Sequence, residues 1–336
     1  MLELSAPLAG VGRGKDRPMT LHEVPPPVPR VALNDGNHIP QLGFGLFVPP
    51  RYSVRTVLHG LKTGYRLIDT AAIYRTEVGV RQALERSGVE RAGIFITTKL
   101  LKHGRDAALC FFERSLKRLE CDYIDLYLIH YPFPEQDRYV ETWKALTELK
   151  ADGRARSIGV SNFRIDQLER IIDASGVVPA VHQIGLYPRL QRPDLRRFHS
   201  QRGIVTEAYS PLGRGQALRE PAIRELASRH NRTPAQIVLR WHLQLGNVAI
   251  PRSVKPERLE ENFRIFDFEL SKEDMRTLDG LDAGPLDQDP STYMERDIYG
   301  GTVGAIIDFA ERHPSIDSLL IQNAMRGVSL IRSRPS

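Results

Sequence analysis

Four polar residues stand at or just beyond the ends of short apolar runs, and their chemical types suit proton transfer. Asp69 ends the run RLID, Lys99 ends IFITTK and His130 ends IDLYLIH, while Tyr74 lies five residues beyond Asp69. A carboxylate, a phenol, an amine and an imidazole are groups that donate or accept protons in enzymes. The strands of a parallel β/α fold bring such groups to one rim, because their carboxyl ends meet there. We therefore predict that these four side chains form a proton-transfer site.

Each of the four residues also has an ordinary structural explanation when it is taken alone. Asp69 precedes Thr70 and could cap a helix, and Lys99 could be a solvated residue at a strand end. A histidine in an apolar strand, such as His130, is more often a hydrogen-bonded core residue. The prediction rests on their joint placement at the ends of what we predict to be the first, second and third strands of the fold.

The elements that must position these residues are apolar runs separated by helix-length segments. The predicted strands end at, contain or lead to Asp69, Lys99, His130, Ser161, Gln183, Tyr209 and Arg252, and the run RIF at 264–266 is the eighth. The intervals exceed the dozen or so residues that a parallel crossover needs. Between the strands the spacing is helical, and Thr233-Pro234 is typical of a helix start.

Eight such units favour an α/β fold of the closed (β/α)8 TIM barrel type over an open doubly wound sheet. The open fold binds dinucleotides through a G-x-G-x-x-G segment between a strand and a helix, and no segment of the chain matches that pattern.

Both ends of the chain differ in character from this barrel. Residues 1–29 are rich in Gly and Pro and predict a flexible N-terminal arm. Asn34, Asp35 and Gly36 then supply turn chemistry between two short stretches, which predicts a β-hairpin ahead of the barrel. We assign the barrel to residues 30–284 and expect a loop and helical extension of unknown role over residues 285–336.

Composition limits the classes of function. Hydrophobic residues make up 41% and charged residues 26% of the 336 residues, as in ordinary globular proteins. The net charge of +6 is not clustered with aromatic residues, so we expect no nucleic-acid partner. We expect no membrane partner either, because no apolar run is long enough to span a bilayer. Two cysteines supply neither a disulfide framework nor a zinc site, and we predict a cytoplasmic protein without a metal.

Several longer segments carry a family resemblance. GYRLIDTAAIYRTEVGV, RSIGVSNF and IPRSVKPERLEEN resemble the three signature segments of the aldo-keto reductase family, and DYIDLYLIHYP and EAYSPLGRG are similar to other segments of that family. The resemblance runs from Val31 to Asp282. It implies a (β/α)8 barrel that reduces aldehyde or ketone substrates to alcohols with NADPH as cofactor.

The resemblance also implies a role for each of the four residues. Tyr74 is the general acid that protonates the carbonyl oxygen, although a free phenol, with a pKa of about 10, holds its proton tightly near neutrality. Lys99 is expected to lower that pKa by favouring the phenolate, and Asp69 is expected to pair with Lys99. His130 is expected to donate a hydrogen bond to the substrate carbonyl.

The resemblance further implies a set of cofactor residues. From the nicotinamide to the adenine end they are Ser161, Asn162, Gln183, Tyr209, Ser210, Leu212, Ser253, Arg252, Arg258, Glu261 and Asn262. Ser161, Asn162 and Gln183 would hydrogen-bond the nicotinamide carboxamide, and Tyr209 would stack on its ring. Ser210, Leu212 and Ser253 would contact the pyrophosphate and adenosine. The two arginines would bind the 2′-phosphate, which favours NADPH over NADH, and the last two residues would lie near the adenine.

Some positions depart from the family pattern. Phe47, Leu101 and Tyr131 occupy places near the substrate where Trp is frequent, which predicts a less aromatic and wider pocket. His182 and Gly185 stand on either side of Gln183 where the family usually has Asn and Glu.

Two alternatives to a carbonyl reductase stay open. A catalytically silent barrel of the same family could bind NADPH as a regulatory subunit, and turnover of a carbonyl substrate would exclude it. An aldolase could use Lys99 as a Schiff base, which borohydride trapping with a carbonyl ligand would reveal, but the segment 252–262 has no role in an aldolase. We expect a monomer or a weak homo-oligomer.

Overall fold

The computed structural model of the protein describes residues 28–284. The predicted arm at 1–29, apart from its last two residues, and the predicted extension at 285–336 lie outside the described residues. No helix within 28–284 is both long and apolar enough to cross a membrane.

A β-hairpin precedes the barrel, as predicted. Strands β1 (Arg30–Ala32) and β2 (His38–Pro40) pair antiparallel, and Leu33 N–H donates to Asn37 O over 2.8 Å. Gly36 has φ +88, a left-handed conformation that a residue without a Cβ adopts at low cost. Leu33 and Ile39 are buried in the same apolar cluster as strand residues of the barrel. The hairpin thus closes the amino-terminal end of the barrel.

Eight parallel strands form the barrel. Their bounds are β3 Phe44–Gly45, β4 Leu67–Asp69, β5 Phe95–Leu100, β6 Ile124–Ile129, β7 Ala155–Ser161, β8 Val181–Gly185, β9 Val205–Tyr209 and β10 Val248–Ile250. Each strand pairs in parallel with the next along the chain. At the closure, Gly43 N–H donates to Ala249 O over 2.9 Å and Ala249 N–H donates to Gln41 O over 3.0 Å. The predicted (β/α)8 barrel is confirmed.

Ten α-helices lie among the described residues. Their bounds are α1 Ser53–Thr63, α2 Glu77–Ser87, α3 Arg105–Leu119, α4 Tyr139–Ala151, α5 Ile165–Ser175, α6 Pro193–Arg202, α7 Pro221–Arg229, α8 Pro234–Gln244, α9 Pro256–Phe263 and α10 Lys272–Asp279. Helix α8 begins where predicted, with Thr233 as N-cap: its side chain accepts from Gln236 N–H and the Gln236 side chain reaches back.

One predicted strand was wrong, and an unpredicted one takes its place. RIF at 264–266 is not a strand, because the carbonyls of Arg264 and Ile265 accept hydrogen bonds from side chains of α8 instead of from a neighbouring strand. The strand that completes the set of eight is instead β3, which is the first barrel strand along the chain and has only two residues. A Cβ on the preceding Gly43 would lie 2.4 Å from Leu67 Cγ, so the chain approaches β4 too closely for a longer side chain. Asp69, Lys99 and His130 therefore lie at the carboxyl ends of the second, third and fourth barrel strands.

Alternation along the strands separates two apolar faces and aims polar residues at the rim. Leu67, Phe95 and Val205 belong to the cluster inside the barrel, whereas Ile68 and Ile96 belong to the larger cluster beneath the helices. Steps of two residues along the inner face arrive at the carboxyl rim at Asp69, Lys99, His130, Ser161, Gln183, Glu207 and Tyr209. The same periodicity that buries the barrel interior thus places the polar residues together.

Candidate active site

A buried ion pair lies at the centre of the rim. Lys99 Nζ lies 2.7 Å from Asp69 Oδ1 and 2.6 Å from Asp69 Oδ2, and it also donates to Thr70 O over 2.9 Å. Asp69 is 3% exposed and Lys99 1% exposed, so water contributes little to solvating either charge. The paired carboxylate and the carbonyl oxygen compensate the ammonium that burial would otherwise penalise.

Tyr74 reaches the same place from the loop after β4. It ends a short 3-10 turn at Ala72–Tyr74, and its hydroxyl lies 3.3 Å from His130 Nε2. Lys99 Nζ lies 5.2 Å from the centroid of the Tyr74 ring. The structure therefore brings Asp69, Tyr74, Lys99 and His130 together.

Burial raises the pKa of Tyr74 well above its ordinary value, the charge of Asp69 raises it further, and Arg252 acts in the opposite direction. The resemblance led us to expect a pKa lowered by Lys99. The difference has a physical reason, because burial penalises the phenolate and the Asp69 carboxylate that holds Lys99 adds to that penalty. Tyr74 consequently holds its proton at neutral pH, as a general acid must.

His130 is a neutral imidazole. Burial lowers its pKa well below the ordinary value, and the nearby Lys99 charge acts in the same direction. Its Nδ1 has no hydrogen-bond partner among residues 28–284, and its Nε2 faces the Tyr74 hydroxyl. A neutral imidazole has one N–H, so a proton on Nε2 would make this atom a donor toward the space beside Tyr74.

Gln183 joins the ion pair to a residue that the sequence analysis missed. Its Nε2 donates to Asp69 Oδ2 over 2.8 Å and to Glu207 Oε2 over 2.8 Å. Glu207 is completely buried, and burial together with the Asp69 charge raises its pKa to about 8. One signal could have revealed it: an acidic residue in the apolar run IVTEAY, two positions before Tyr209, must share the inner face of the strand with Tyr209.

The loop after β7 places Ser161 and Asn162 beside this network. Asn162 has φ +63, and its Nδ2 donates to His130 O over 3.1 Å and to Ser161 Oγ over 2.9 Å. The Tyr209 hydroxyl donates to Asn162 Oδ1 over 2.8 Å. Asparagine adopts this left-handed conformation more readily than most other residues do. Four of the predicted cofactor residues, Ser161, Asn162, Gln183 and Tyr209, are therefore contiguous.

His182, on the outer face of β8, supports that loop from behind. Its Nε2 accepts the N–H of Phe163 over 3.0 Å, so its Nδ1 carries the proton and donates to His199 Nε2 over 2.7 Å. His199 Nδ1 in turn lies 2.8 Å from Thr206 Oγ1. Burial lowers the pKa of His182 well below its ordinary value. A neutral pair of histidines, His182 and His199, thus anchors the backbone next to Asn162. Position 182 is the one at which the family usually has an asparagine.

The predicted phosphate and adenine residues lie in three places, namely the turn before α9, α9 itself and the segment after β9. Ser253 Oγ accepts the N–H of Lys255 over 3.0 Å, and Arg252 and Arg258 are exposed beside this turn. Thr233 Oγ1 donates to Glu261 Oε1 over 2.7 Å, while Asn262 is buried. Ser210, with φ +46, and Leu212 follow β9 and are half-buried.

Arg252 also reaches the substrate side of the rim. Its Nη1 donates to Phe47 O over 2.8 Å, and its guanidinium lies 5.8 Å from the centroid of the Phe47 ring. The sequence predicts Arg252 at the 2′-phosphate alone, and its contact with Phe47 is additional to that prediction.

The three predicted pocket residues are placed differently. Phe47 is 40% exposed and its ring centroid lies 4.9 Å from that of Tyr74, so it borders the site directly. Leu101 is half-buried in the loop after β5. Tyr131 is buried, with its ring 5.2 Å from that of Phe133.

No group of three or more histidine, cysteine, aspartate or glutamate side chains in residues 28–284 is arranged to hold a metal ion.

Comparisons with known proteins show which proteins this chain is similar to. The model of the aldo/keto reductase family matches residues 41–283. An aldo-keto reductase of Mycolicibacterium smegmatis is 50% identical over 269 residues, which cover 79% of this chain and 98% of that protein. A protein of Yersinia pestis named methylglyoxal reductase DkgA is 46% identical over 269 residues, which cover 79% of this chain and 97% of that protein.

Solved structures show the same similarity. The crystal structure of an aldo/keto reductase from Brucella melitensis is 50% identical and superposes with a TM-score of 0.74, covering 76% of this chain and 100% of that chain. A single-residue variant of Gox0644, crystallised in complex with NADPH, is 46% identical with a TM-score of 0.75, covering 79% of this chain and 98% of that chain.

Proposed function

The chain belongs to the aldo/keto reductase family, and we propose that it is an NADPH-dependent oxidoreductase that reduces aldehyde or ketone carbonyls to alcohols. The observation that carries the proposal is the Tyr74 hydroxyl placed 3.3 Å from His130 Nε2 and beside the buried Lys99–Asp69 pair. Such an arrangement can hold a carbonyl oxygen and protonate it.

Tyr74 is the proton donor in this proposal. Its raised pKa keeps the hydroxyl protonated at neutral pH, so the proton is present when a carbonyl binds. As the carbonyl oxygen gains negative charge it becomes a stronger base than the ground-state carbonyl, and the proton moves to it from Tyr74 Oη. The Lys99 ammonium, 5.2 Å from the ring centroid, then stabilises the phenolate that remains.

Asp69 and His130 orient the reacting groups. Asp69 fixes the position of Lys99 with both carboxylate oxygens. His130, neutral because its pKa is lowered, donates from Nε2–H to the carbonyl oxygen without competing with Tyr74 for a proton. The substrate carbonyl would thus receive two donors, one from His130 and one from Tyr74.

The residues present fit NADPH by their chemistry. When bound, NADPH would supply the hydride that reduces the carbonyl carbon. Ser161, Asn162 and Gln183 offer amide and hydroxyl groups that match a carboxamide, and the ring of Tyr209 offers a stacking surface. At the other end, two exposed guanidinium groups flank the first turn of α9, where helix amides also favour an anion.

The remaining contacts to the cofactor are assigned by the same argument. Arg252 and Arg258 would bind the 2′-phosphate, which selects NADPH over NADH. The other groups of this region would contact the pyrophosphate, the adenosine and the adenine, and they are Ser210, Leu212, Ser253, Glu261 and Asn262.

The substrate class is small carbonyl compounds. Since one relative is named methylglyoxal reductase, methylglyoxal is the first substrate to try. Phe47 borders Tyr74 directly, with Leu101 and Tyr131 assigned farther along the pocket wall. These side chains are smaller than Trp, which favours access for branched as well as linear aldehydes and ketones.

The test is NADPH consumption by the full chain with methylglyoxal and a panel of aldehydes, ketones and keto acids, with Tyr74→Phe as control. We expect turnover in the wild type and a loss of at least about 100-fold in Tyr74→Phe, with NADPH binding retained. A variant with near wild-type turnover would overturn the assignment of the proton donor. Tight NADPH binding without turnover of any carbonyl would instead favour a regulatory subunit.

A further inference from the structure

Glu207 occupies a position that the proposed reaction does not yet explain. It lies on the inner face of β9, two residues before Tyr209, and it is directly opposite Gln183 in the parallel register of β8 and β9. It is completely buried, although carboxyl groups are seldom buried without a role in pairing.

Only one of the two carboxyl oxygens of Glu207 takes part in a hydrogen bond among the described residues. Its Oε2 accepts from Gln183 Nε2 over 2.8 Å, while its Oε1 has no hydrogen-bond partner among residues 28–284. The charged groups that face it are Asp69 from β4 and Lys99 from β5. Asp69 already accepts both from Lys99 and from Gln183, so Glu207 provides the second acceptor for the Gln183 amide nitrogen.

Two acceptors fix the amide of Gln183 more completely than one does. A primary amide has two N–H donors and a carbonyl acceptor on the same planar group. With one N–H directed to Asp69 and the other to Glu207, the amide plane is set and its Oε1 is directed away from both carboxyl groups. A flipped amide would place its oxygen against the Asp69 carboxylate, which is repulsive.

We propose that Glu207 is a positioning residue that acts through Gln183, setting the plane of the amide that would receive the nicotinamide carboxamide. The inference rests on the proposed function, since it assigns Gln183 to the carboxamide of NADPH. Glu207 itself touches neither the cofactor nor the substrate.

The protonation state of Glu207 suits this role. Its pKa of about 8 leaves it predominantly a neutral carboxylic acid at pH 7, and a neutral acid still offers oxygen lone pairs to Gln183. The neutral form avoids a second negative charge beside Asp69, so Lys99 remains paired with a single carboxylate. A glutamine at this position would preserve both the acceptor and the neutrality.

Two variants of the full chain separate positioning from packing, and two ligands separate the nicotinamide half of the site from the rest. Glu207→Gln keeps an acceptor oxygen for Gln183, whereas Glu207→Leu removes it. The ligands are NADPH and 2′-phospho-ADP-ribose, which has the same 2′-phosphate and pyrophosphate but no nicotinamide. Dissociation constants would be measured by isothermal titration calorimetry at pH 7.

We expect Glu207→Leu to bind NADPH about tenfold more weakly and 2′-phospho-ADP-ribose as tightly as the wild type, because only the carboxamide contact is disturbed. We expect Glu207→Gln to bind both ligands like the wild type. Unchanged NADPH binding in Glu207→Leu, equal weakening of both ligands, or a Glu207→Gln defect as large as that of Glu207→Leu would each overturn the proposal. A wild type that does not bind NADPH would overturn the proposed function first, and thus the two failures are distinguishable.

Discussion

The carboxylate of Asp69 holds the ammonium of Lys99 with both oxygens, at 2.7 and 2.6 Å from Nζ, in a place that solvent hardly reaches. Taking two charges out of water is costly, and the pair persists because further bonds satisfy it. Lys99 also donates to Thr70 O, and Asp69 also accepts from Gln183 Nε2. The pKa of Tyr74 stays high beside this lysine because the phenol is buried, and the Asp69 charge raises it further.

The ion pair makes a stability prediction. Lys99→Met leaves the Asp69 carboxylate buried without its cation, which we expect to lower the free energy of unfolding by about 3–5 kcal/mol. The double variant Asp69→Asn/Lys99→Met removes both charges, and we expect it to recover most of that loss. Urea unfolding at pH 7 measures both changes. A single variant as stable as the double variant would show that the buried carboxylate carries no penalty.

His130 makes a prediction about transition-state binding. His130→Phe removes the N–H donor but keeps a planar ring, and we expect kcat/KM for a carbonyl substrate to fall about 100-fold or more with the NADPH dissociation constant unchanged. His130→Gln is the matched control, because it retains an N–H donor, and it should lose less. Equal losses in the two variants would contradict the role of a hydrogen-bond donor.

The same residue predicts the shape of the pH profile. Because burial and Lys99 hold the pKa of His130 well below its ordinary value, it stays neutral throughout the range from pH 6 to 8. Wild-type kcat/KM should therefore show no inflection in this range that disappears in His130→Gln. Steady-state kinetics of both proteins across these pH values provides the check, and an inflection present only in the wild type would contradict the neutral state.

Much of this site was predictable because strand periodicity and strand ends are visible in the sequence. Asp69, Lys99 and His130 follow apolar runs, so a parallel fold had to bring them to one rim. Glu207 was missed because its strand was assigned by its end at Tyr209, and an acidic residue inside the run was not given a partner. Its partner, Gln183, is distant in sequence and becomes adjacent only through the β8–β9 register.

The two errors in the predicted set of strands have a similar origin. β3 has only two residues, and Gly43 and Gly45 give it little of the β-branched character by which strands are identified. Ile265 and Phe266 have that apolar character, but they follow α9 and pack in the larger apolar cluster beneath the helices. A short apolar run can belong to such a cluster as well as to a strand, and periodicity alone does not distinguish the two. The closure between Gly43 and Ala249 is a contact that local sequence does not encode.

Cofactor choice makes a fourth prediction. Arg258 is exposed at the first turn of α9, where we place the 2′-phosphate. Arg258→Met should weaken NADPH about tenfold and NADH little, because only NADPH carries the extra phosphate. The matched control is Arg264→Met, which removes an exposed arginine just beyond the other end of the same helix. Fluorescence titration with both cofactors would measure this, and equal losses for NADPH and NADH would refute the 2′-phosphate assignment.

Glu207 makes the last prediction, on the pH dependence of stability. Its pKa is about 8 in the folded chain, whereas an unfolded glutamate has a pKa of about 4.3. Between these values the folded chain holds a proton that the unfolded chain has released, so stability contributed by this group falls as pH rises and levels off above about 8.

Glu207→Gln removes this titration, and other ionisable groups are common to both proteins. We therefore expect the variant to gain stability relative to the wild type as pH rises from 5 to 9, by about 4 kcal/mol in the free energy of unfolding. Urea unfolding at pH 5, 7 and 9 measures the difference directly. A difference that stays constant with pH would mean that Glu207 is ionised in the folded chain. The acceptor for Gln183 would then be a carboxylate stabilised by Lys99, and not the neutral acid proposed above.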